Sequence, residues 1–225
     1  MPIRTMRGTG GLVFHILNRG VRRLRLFDDA GDYAALIRCF AEAQARVPVE
    51  VFAYCLMPNH FHLVLRPLGD GHLAEFMRLA TVTHSKRWHQ HRGTAGTGAV
   101  YQGRYKAFAV QTERYFFAVC RYVEANPLRA GLVPRAEDWA WSSAAVRRNN
   151  VDEFRLSEWP ILPPTDWLDV VNQQARSEVE RLRQSVRRSA PLGDRSWTLR
   201  TAELLGVQRG IRRPGRPKKT SGVVL

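Results

Sequence analysis

The stretch His60–Leu65 (HFHLVL), directly after the turn Pro58-Asn59, decides the fold. Its polar and apolar residues alternate, as they do in a β-strand whose successive side chains point to opposite faces of a sheet. His60 and His62 therefore share one face, while the Phe and Leu residues beside them point into the core. The sequence predicts a half-buried strand that presents two neighbouring imidazoles.

Strands and helices surround this stretch in the order β-α-β-β-α-β, followed by a further helix. The predicted strands are Leu12–Leu17, Val49–Leu56, His60–Leu65 and Tyr105–Gln111. The predicted helices run from Asp28 or Asp29 to about Arg46, from Gly71 to about Arg92, and from Glu113, after a Thr112 cap, to Ala125, where Asn126-Pro127 ends it. This order predicts an α+β, ferredoxin-like (split βαβ) antiparallel sheet with helices on one face, its other face free for a ligand or the extra helix.

The composition changes at about Val151. A Pro- and Trp-rich segment, LSEWPILPPTDW, is followed by a predicted helix from Thr165 or Asp166 to about Arg188 and a short one near Thr198–Leu205. We therefore predict one domain over residues 1–150. Residues 151–225 form a helical extension with a basic tail that we expect to be flexible.

The net charge of the chain indicates which classes of partner it is expected to bind. Its 225 residues include 35 Lys and Arg against 20 Asp and Glu, a formal net charge of +15. Such a protein attracts polyanions, so nucleic acid is the first expectation, an anionic membrane the second and acidic small substrates the third. An apolar content of 44% excludes a disordered chain.

The cysteines and the apolar runs indicate the compartment. Cys39, Cys55 and Cys120 lie far apart in apolar stretches, which predicts buried free thiols rather than a disulfide or zinc framework. No run reaches the ~18 apolar residues of a membrane span, and the first residues lack a signal sequence. We expect a cytoplasmic, nucleoid-associated protein with no membrane partner.

His60 and His62 alone support two interpretations. Two imidazoles on one sheet face form a natural bidentate metal site, but they are equally typical of polar residues on a half-exposed strand. The segment Arg121–Pro127 (RYVEANP) adds Tyr122 and Asn126, which are neighbours on one helix face at i and i+4. Two imidazoles, an amide oxygen and a phenol together suit a catalytic metal site with open coordination positions.

At this point the sequence resembles a known family. The segments NRG, MPNHFHLVL, YQGRYKAF, RYVEANPLRAGLV and WAWSS occur in the order found in REP-associated tyrosine transposases, which belong to the single-tyrosine HUH transposases. The C-terminal segments PLGDRSWTLRTAELLG and RRPGRPKK are similar to the extension in that family. The resemblance implies that His60 and His62 bind a divalent metal, magnesium or manganese, that Asn126 is the third ligand and that Tyr122 is the nucleophile.

Other tyrosines and histidines leave alternatives open. Tyr115 lies seven residues before Tyr122, near the same helical stripe, so spacing does not distinguish the two; the match to RYVEANP favours Tyr122. The remaining histidines are interpreted as structural: His15, His72, His84, His89 and His91. His15 is the least clearly structural of them, because its strand is predicted to lie near His60.

The predicted DNA contacts rest on charge and stacking. Basic and aromatic residues cluster around the site elements in the sequence, although a solvated surface over core aromatics is the alternative. The residues expected to bind DNA are Arg19, Arg104, Tyr105, Lys106, Arg121, Arg129, Arg213 and Arg216. Tyr101, Trp139 and Trp141 are further candidates for base stacking. The tail RPGRPKK suits either a minor-groove hook or a flexible basic segment.

The resemblance implies a metal-dependent single-stranded DNA endonuclease and strand transferase. Such an enzyme would cleave hairpin-forming repetitive palindromic DNA through a 5′-phosphotyrosine intermediate. The alternative is a non-catalytic DNA- or RNA-binding module on a ferredoxin-like sheet. A structural zinc protein has no support, because no Cys pairs are present. We expect a monomer, with a homodimer as the alternative.

Overall fold

A four-stranded antiparallel sheet organises the protein. The structure, a computed structural model, describes residues 8–149, 153–173 and 176–211. The strands are β1 (Val13–Arg19), β2 (Val49–Met57), β3 (His60–Pro67) and β4 (Lys106–Val110). They are ordered β2-β3-β1-β4, and every pairing is antiparallel. With helices between β1 and β2 and between β3 and β4, this confirms the predicted α+β, ferredoxin-like arrangement.

Eight α-helices occur in the described part of the chain. They are α1 (Ala30–Gln44), α2 (His72–Arg92), α3 (Thr112–Glu124), α4 (Asn126–Arg129), α5 (Ser143–Asn149), α6 (Trp167–Asn172), α7 (Arg176–Arg188) and α8 (Arg195–Leu204). No helix among these residues is long and apolar enough to cross a bilayer. The cysteines are free and buried, as predicted.

The first core lies between one face of the sheet and helices α1 and α2. Asp29 caps α1 by accepting a hydrogen bond from the backbone NH of Asp32 at 3.0 Å. The helix then buries its apolar stripe, including Phe40, against Phe61 of β3 and Phe76 of α2. The apolar half of the alternating HFHLVL stretch therefore lies in this core, as the sequence predicts.

The opposite face of the sheet is covered by α3. Residues paired directly across antiparallel strands share a face, so His62, opposite Cys55, and His60, opposite Met57, point to this side. Here α3 buries Phe116 and Cys120 against the second core. The site strand and the helix carrying Tyr122 are therefore packed in adjacent layers.

A buried carboxylate secures α3 at its C-terminal end. Glu124 is fully buried and accepts hydrogen bonds from Ser143 Oγ at 2.5 Å, Arg147 Nε at 3.1 Å and Trp167 Nε1 at 2.6 Å. Ser143 and Arg147 belong to α5 and Trp167 to α6, so one charge joins three helices. Arg147 neutralises that charge, which burial requires.

Residues after 150 pack on both cores. Phe154 is buried in the first core, and the backbone NH of Ser157 donates to the carbonyl of Val51 at 2.7 Å. On the other edge of the sheet, the NH of Leu192 donates to the carbonyl of Ala109 at 2.8 Å. The domain boundary at residue 150 remains a prediction.

Two local predictions were wrong, and one helix was not predicted. The helix expected from Thr165 or Asp166 to Arg188 is divided, because α6 ends at Asn172, whose amide instead binds the backbone NH of Ala136 at 2.9 Å. Thr112 does not cap α3. It is the first helical residue, and Gln111 holds the cap position without a capping side chain. Helix α5 was not predicted, because its seven residues are too few to show a period.

Candidate active site

His60 and His62 lie side by side on β3. Their ring centroids are 5.1 Å apart with the rings nearly perpendicular. His62 is buried, and His60 is half-buried. The alternation of the strand and the cover of α3 thus place two imidazoles together under a helix, at the C-terminal side of the turn Pro58-Asn59.

Both imidazoles are held through Nδ1. His60 Nδ1 donates to Asn59 Oδ1 at 2.7 Å, and His62 Nδ1 shares a hydrogen bond of 2.8 Å with Nε2 of His15. Nε2 is the remaining nitrogen of each ring. Burial, and then the charge of Arg19, lowers the pKa of His60 to about 4, and burial holds the pKa of His62 well below its ordinary value. Both rings are neutral at pH 7, the form that binds metal.

His15 also belongs to this cluster, although the sequence did not assign this residue to the site. The residue is fully buried on β1, opposite Val64 of β3 and Phe108 of β4. Its ring packs edge-on with Phe108 at a centroid distance of 4.7 Å. Burial, and next the charge of Arg129, lowers the pKa of His15 to about 3, so this third ring is neutral too. The other described histidines with hydrogen bonds, His72, His84 and His89, make them away from this cluster.

Tyr122 reaches the histidines within one chain. Its ring centroid lies 6.0 Å from that of His62 and 5.9 Å from that of His15. Tyr115, which spacing alone does not exclude, instead lines a separate cavity of about 390 Å³ with Arg188 and Thr198. The structure therefore brings Tyr122, rather than Tyr115, to the imidazoles.

Arg129 connects Tyr122 and Asn126. Pro127 lies in the first positions of the single turn α4, and this turn carries Arg129 back so that its Cζ lies 4.2 Å from the centroid of the Tyr122 ring. Its Nη2 donates to the backbone carbonyl of Tyr122 at 2.7 Å and to Asn126 Oδ1 at 2.6 Å. Burial lowers the pKa of Arg129 to about 10, and the group is still cationic at pH 7. Within the described residues, its buried Nη1 has no hydrogen-bond partner.

The donor set fits a divalent cation. In the part of the chain that the structure describes, no group of three or more His, Cys, Asp or Glu side chains has metal-binding geometry. Asn126, predicted as the third ligand beside His60 and His62, is of another residue type, and its role as a ligand stays a prediction. The Asn126 Nδ2 donates to the carbonyl of Val123 at 3.2 Å, and its Oδ1 already accepts from Arg129. An amide oxygen has a second lone pair, which is free to bind a cation.

The predicted DNA-binding residues differ in their exposure and in their distance from the histidines along the chain. Arg19 lies opposite His60 in the sheet, and its buried Nε has no hydrogen-bond partner among the described residues. Arg104 and Lys106 are exposed, while Tyr105 and Arg121 are half-buried. Arg213 and Arg216 lie outside the described residues.

The structural alternative holds for the other aromatic candidates. Tyr101 is buried and its Oη shares a hydrogen bond of 2.8 Å with His84 Nδ1. Trp141 stacks on Tyr33 with centroids 4.9 Å apart, and Trp139 Nε1 donates to the carbonyl of Leu56 at 2.8 Å. These rings are engaged within the protein.

Comparisons with known proteins agree with the fold. The family described as "Transposase IS200 like" matches residues 9–126, slightly more than half of the chain. No curated protein matches the chain. Among solved structures, a REP-associated tyrosine transposase bound to a REP hairpin is 19% identical, with a TM-score of 0.51. The match covers 72% of this chain and 94% of the other.

Proposed function

This chain belongs to the family of IS200-like transposases, and from that premise we propose that it cleaves and rejoins single-stranded DNA with Tyr122 as the nucleophile. Family membership supports a DNA-cleaving transposase. The observation that carries the finer proposal is the closeness of the Tyr122 ring to His62, 6.0 Å between centroids. A phenol beside two neutral imidazoles suits phosphoryl transfer to a tyrosine.

The proposed chemistry is a transesterification. The Tyr122 Oη attacks the phosphorus of a phosphodiester, an Oη–P bond forms and the bond from phosphorus to the 3′ oxygen breaks. The products are a 5′-phosphotyrosine and a free 3′-OH. A second 3′-OH can reverse the step onto new DNA, so the covalent bond conserves the energy and no nucleotide triphosphate is needed.

His60 and His62 would hold a divalent cation through Nε2, with Asn126 Oδ1 as the third ligand. Mixed nitrogen and oxygen donors suit manganese better than magnesium, and either is compatible with the set. When bound, the cation supplies charge neutralisation at the scissile phosphate and a template for in-line attack.

Arg129 supplies fixed positive charge at the nucleophile. Its guanidinium lies against the ring of Tyr122, where a cation stabilises negative charge that develops during the reaction. Because the same guanidinium binds the backbone carbonyl of Tyr122, it also restrains the end of α3. Arg19, which pairs with His60 across the sheet, would contact a phosphate of the DNA.

We propose hairpin-forming palindromic DNA as the substrate. The net charge of +15 indicates a polyanion, and the structurally similar transposase is bound to a REP hairpin. Tyr122 and the histidines meet within one chain, which supports cleavage by a monomer.

A labelled hairpin oligonucleotide incubated with the protein and Mn²⁺ tests the proposal. We expect a covalent protein–DNA adduct on a denaturing gel, absent in Tyr122→Phe and retained in Tyr115→Phe. An adduct that persists in Tyr122→Phe and disappears in Tyr115→Phe would overturn the assignment. Binding without any adduct, indifferent to metal, would favour the non-catalytic binding module.

A further inference from the structure

We propose that His15 is a positioning residue of the metal site, which accepts the Nδ1 proton of His62 and so leaves Nε2 of His62 as the metal-binding nitrogen. The metal in this inference rests on the proposed function. The hydrogen bond between the two rings is part of the structure, with 2.8 Å from His15 Nε2 to His62 Nδ1.

A neutral imidazole carries one N–H, so the pair can be protonated in two ways. In one, His62 donates from Nδ1 and keeps a lone pair on Nε2. In the other, His15 donates from Nε2 and the proton of His62 lies on its own Nε2, where no metal can bind. Metal binding through Nε2 therefore requires His15 to act as the acceptor.

The neighbouring ligand shows the same arrangement. His60 donates from Nδ1 to Asn59 Oδ1, an acceptor that cannot donate, and its own Nε2 is left as the lone-pair nitrogen. Asn59 is in turn fixed by its backbone carbonyl, which accepts from the NH of Gly20 at 2.9 Å. Each proposed imidazole ligand thus has one acceptor behind it, and such partners set the orientation and basicity of metal ligands.

His15 also has a feature that packing does not explain. Its Nδ1 is buried and has no hydrogen-bond partner among the described residues. A buried polar atom left unpaired destabilises the fold, so an apolar ring would serve the core better at this position. An imidazole here costs stability, and the hydrogen bond that its ring does make is directed at His62.

The experiment compares Mn²⁺ binding to the full-length protein and its variants, with free Mn²⁺ counted by electron paramagnetic resonance. His15→Phe keeps a ring of similar shape but removes the acceptor, and we expect Mn²⁺ affinity to fall about 10- to 100-fold. His15→Gln offers Oε1 as a substitute acceptor and should recover most of that affinity. Unfolding by urea without metal should show His15→Phe to be about as stable as the wild type, because the unpaired Nδ1 of His15 is removed while the buried Nδ1 of His62 loses its partner.

His84 provides the matched control. It is another buried histidine with one ring hydrogen bond, to Tyr101, so His84→Phe should lower stability and leave Mn²⁺ affinity unchanged. Should His15→Phe fail to fold, His15→Met fills the space without a strong acceptor and gives the same comparison.

The outcomes separate this inference from the proposed function. A wild-type protein that binds no Mn²⁺, or His62→Ala that binds it as tightly as the wild type, would overturn both. If His62→Ala loses Mn²⁺ while the acceptor-free His15 variant retains wild-type affinity, the metal site stands and the role of His15 is overturned.

Discussion

The guanidinium of Arg129 lies over the ring of Tyr122, with Cζ 4.2 Å from the ring centroid. Arg129 follows Tyr122 by seven positions in the chain, and the turn of α4, Asn126–Arg129, brings them together. The proposed nucleophile therefore has a fixed cation against its π face before any DNA is bound.

Removal of this cation should slow the chemical step. We expect Arg129→Gln to reduce the rate of adduct formation about 10²-fold, the scale of losing one group that stabilises developing negative charge. Single-turnover rates with the labelled hairpin measure this. Arg114→Gln, an equal charge change at an exposed position of α3, should leave the rate unchanged. Wild-type rates in Arg129→Gln would reduce the role of the guanidinium to packing.

Asn126 should contribute to metal affinity. If Oδ1 is the third ligand, Asn126→Ala weakens Mn²⁺ binding by at least about tenfold, or 1.4 kcal/mol. Arg129→Gln should have the opposite sign, because a cation no longer competes for that oxygen. Titrations of both variants with Mn²⁺ check the pair of effects. Unchanged affinity in Asn126→Ala would mean that the amide serves only to hold Arg129.

Glu124 should matter for stability. Glu124→Ala removes the carboxylate that pairs with Arg147 and leaves Trp167 Nε1 without its acceptor, and we expect it to lower the free energy of unfolding by about 3 kcal/mol. Glu113→Ala, an exposed acid at the other end of α3, should change it by less than about 0.5 kcal/mol. Urea denaturation compares them. Equal effects would contradict a stabilising role for the buried carboxylate.

Stability should fall in mild acid because of the buried histidines. Burial lowers the pKa of His84 from 6.5 to about 4, so between these values the unfolded chain binds a proton that the folded protein does not. The free energy of unfolding therefore decreases as the pH falls from 6.5 to 4, by up to about 1.4 kcal/mol per pH unit for this group. Urea unfolding of the metal-free protein at pH 7, 6 and 5 measures the slope.

The variant His84→Gln identifies the source of that slope. Glutamine does not titrate, so the decrease between pH 6.5 and 5 should become shallower by up to the same amount. A variant slope equal to that of the wild type would assign the acid sensitivity to other groups.

The sequence predicted the features that depend on local pattern. Alternation in His60–Leu65 placed two imidazoles on one face and apolar residues on the other, and α1 was predicted to start at Asp28 or Asp29, of which Asp29 is the cap. These predictions succeed because strand alternation and helix capping involve residues only a few positions apart. The order of elements then restricted the topology to a familiar antiparallel arrangement.

The parts that were missed depend on distant contacts. The partnership of His15 with His62 requires the register of β1 on β3, which no local pattern encodes. Trp139 and Trp141 suit base stacking or core packing equally well until the contacts with Leu56 and Tyr33 are known. Arg129 contacts Tyr122 only because α4 begins two residues after the last residue of α3. An Asn-Pro pair predicts the end of a helix but not the element that follows it.

The hydrogen bonds to the buried Glu124 have a consequence for the order in which the site is completed during synthesis. The strand bearing both imidazoles and the helix bearing the phenol are synthesised before Ser143, Arg147 and Trp167. A nascent chain therefore contains the proposed site residues before the partners of Glu124 exist. The contacts that hold the C-terminal end of the nucleophile's helix are complete only once Trp167 has been synthesised.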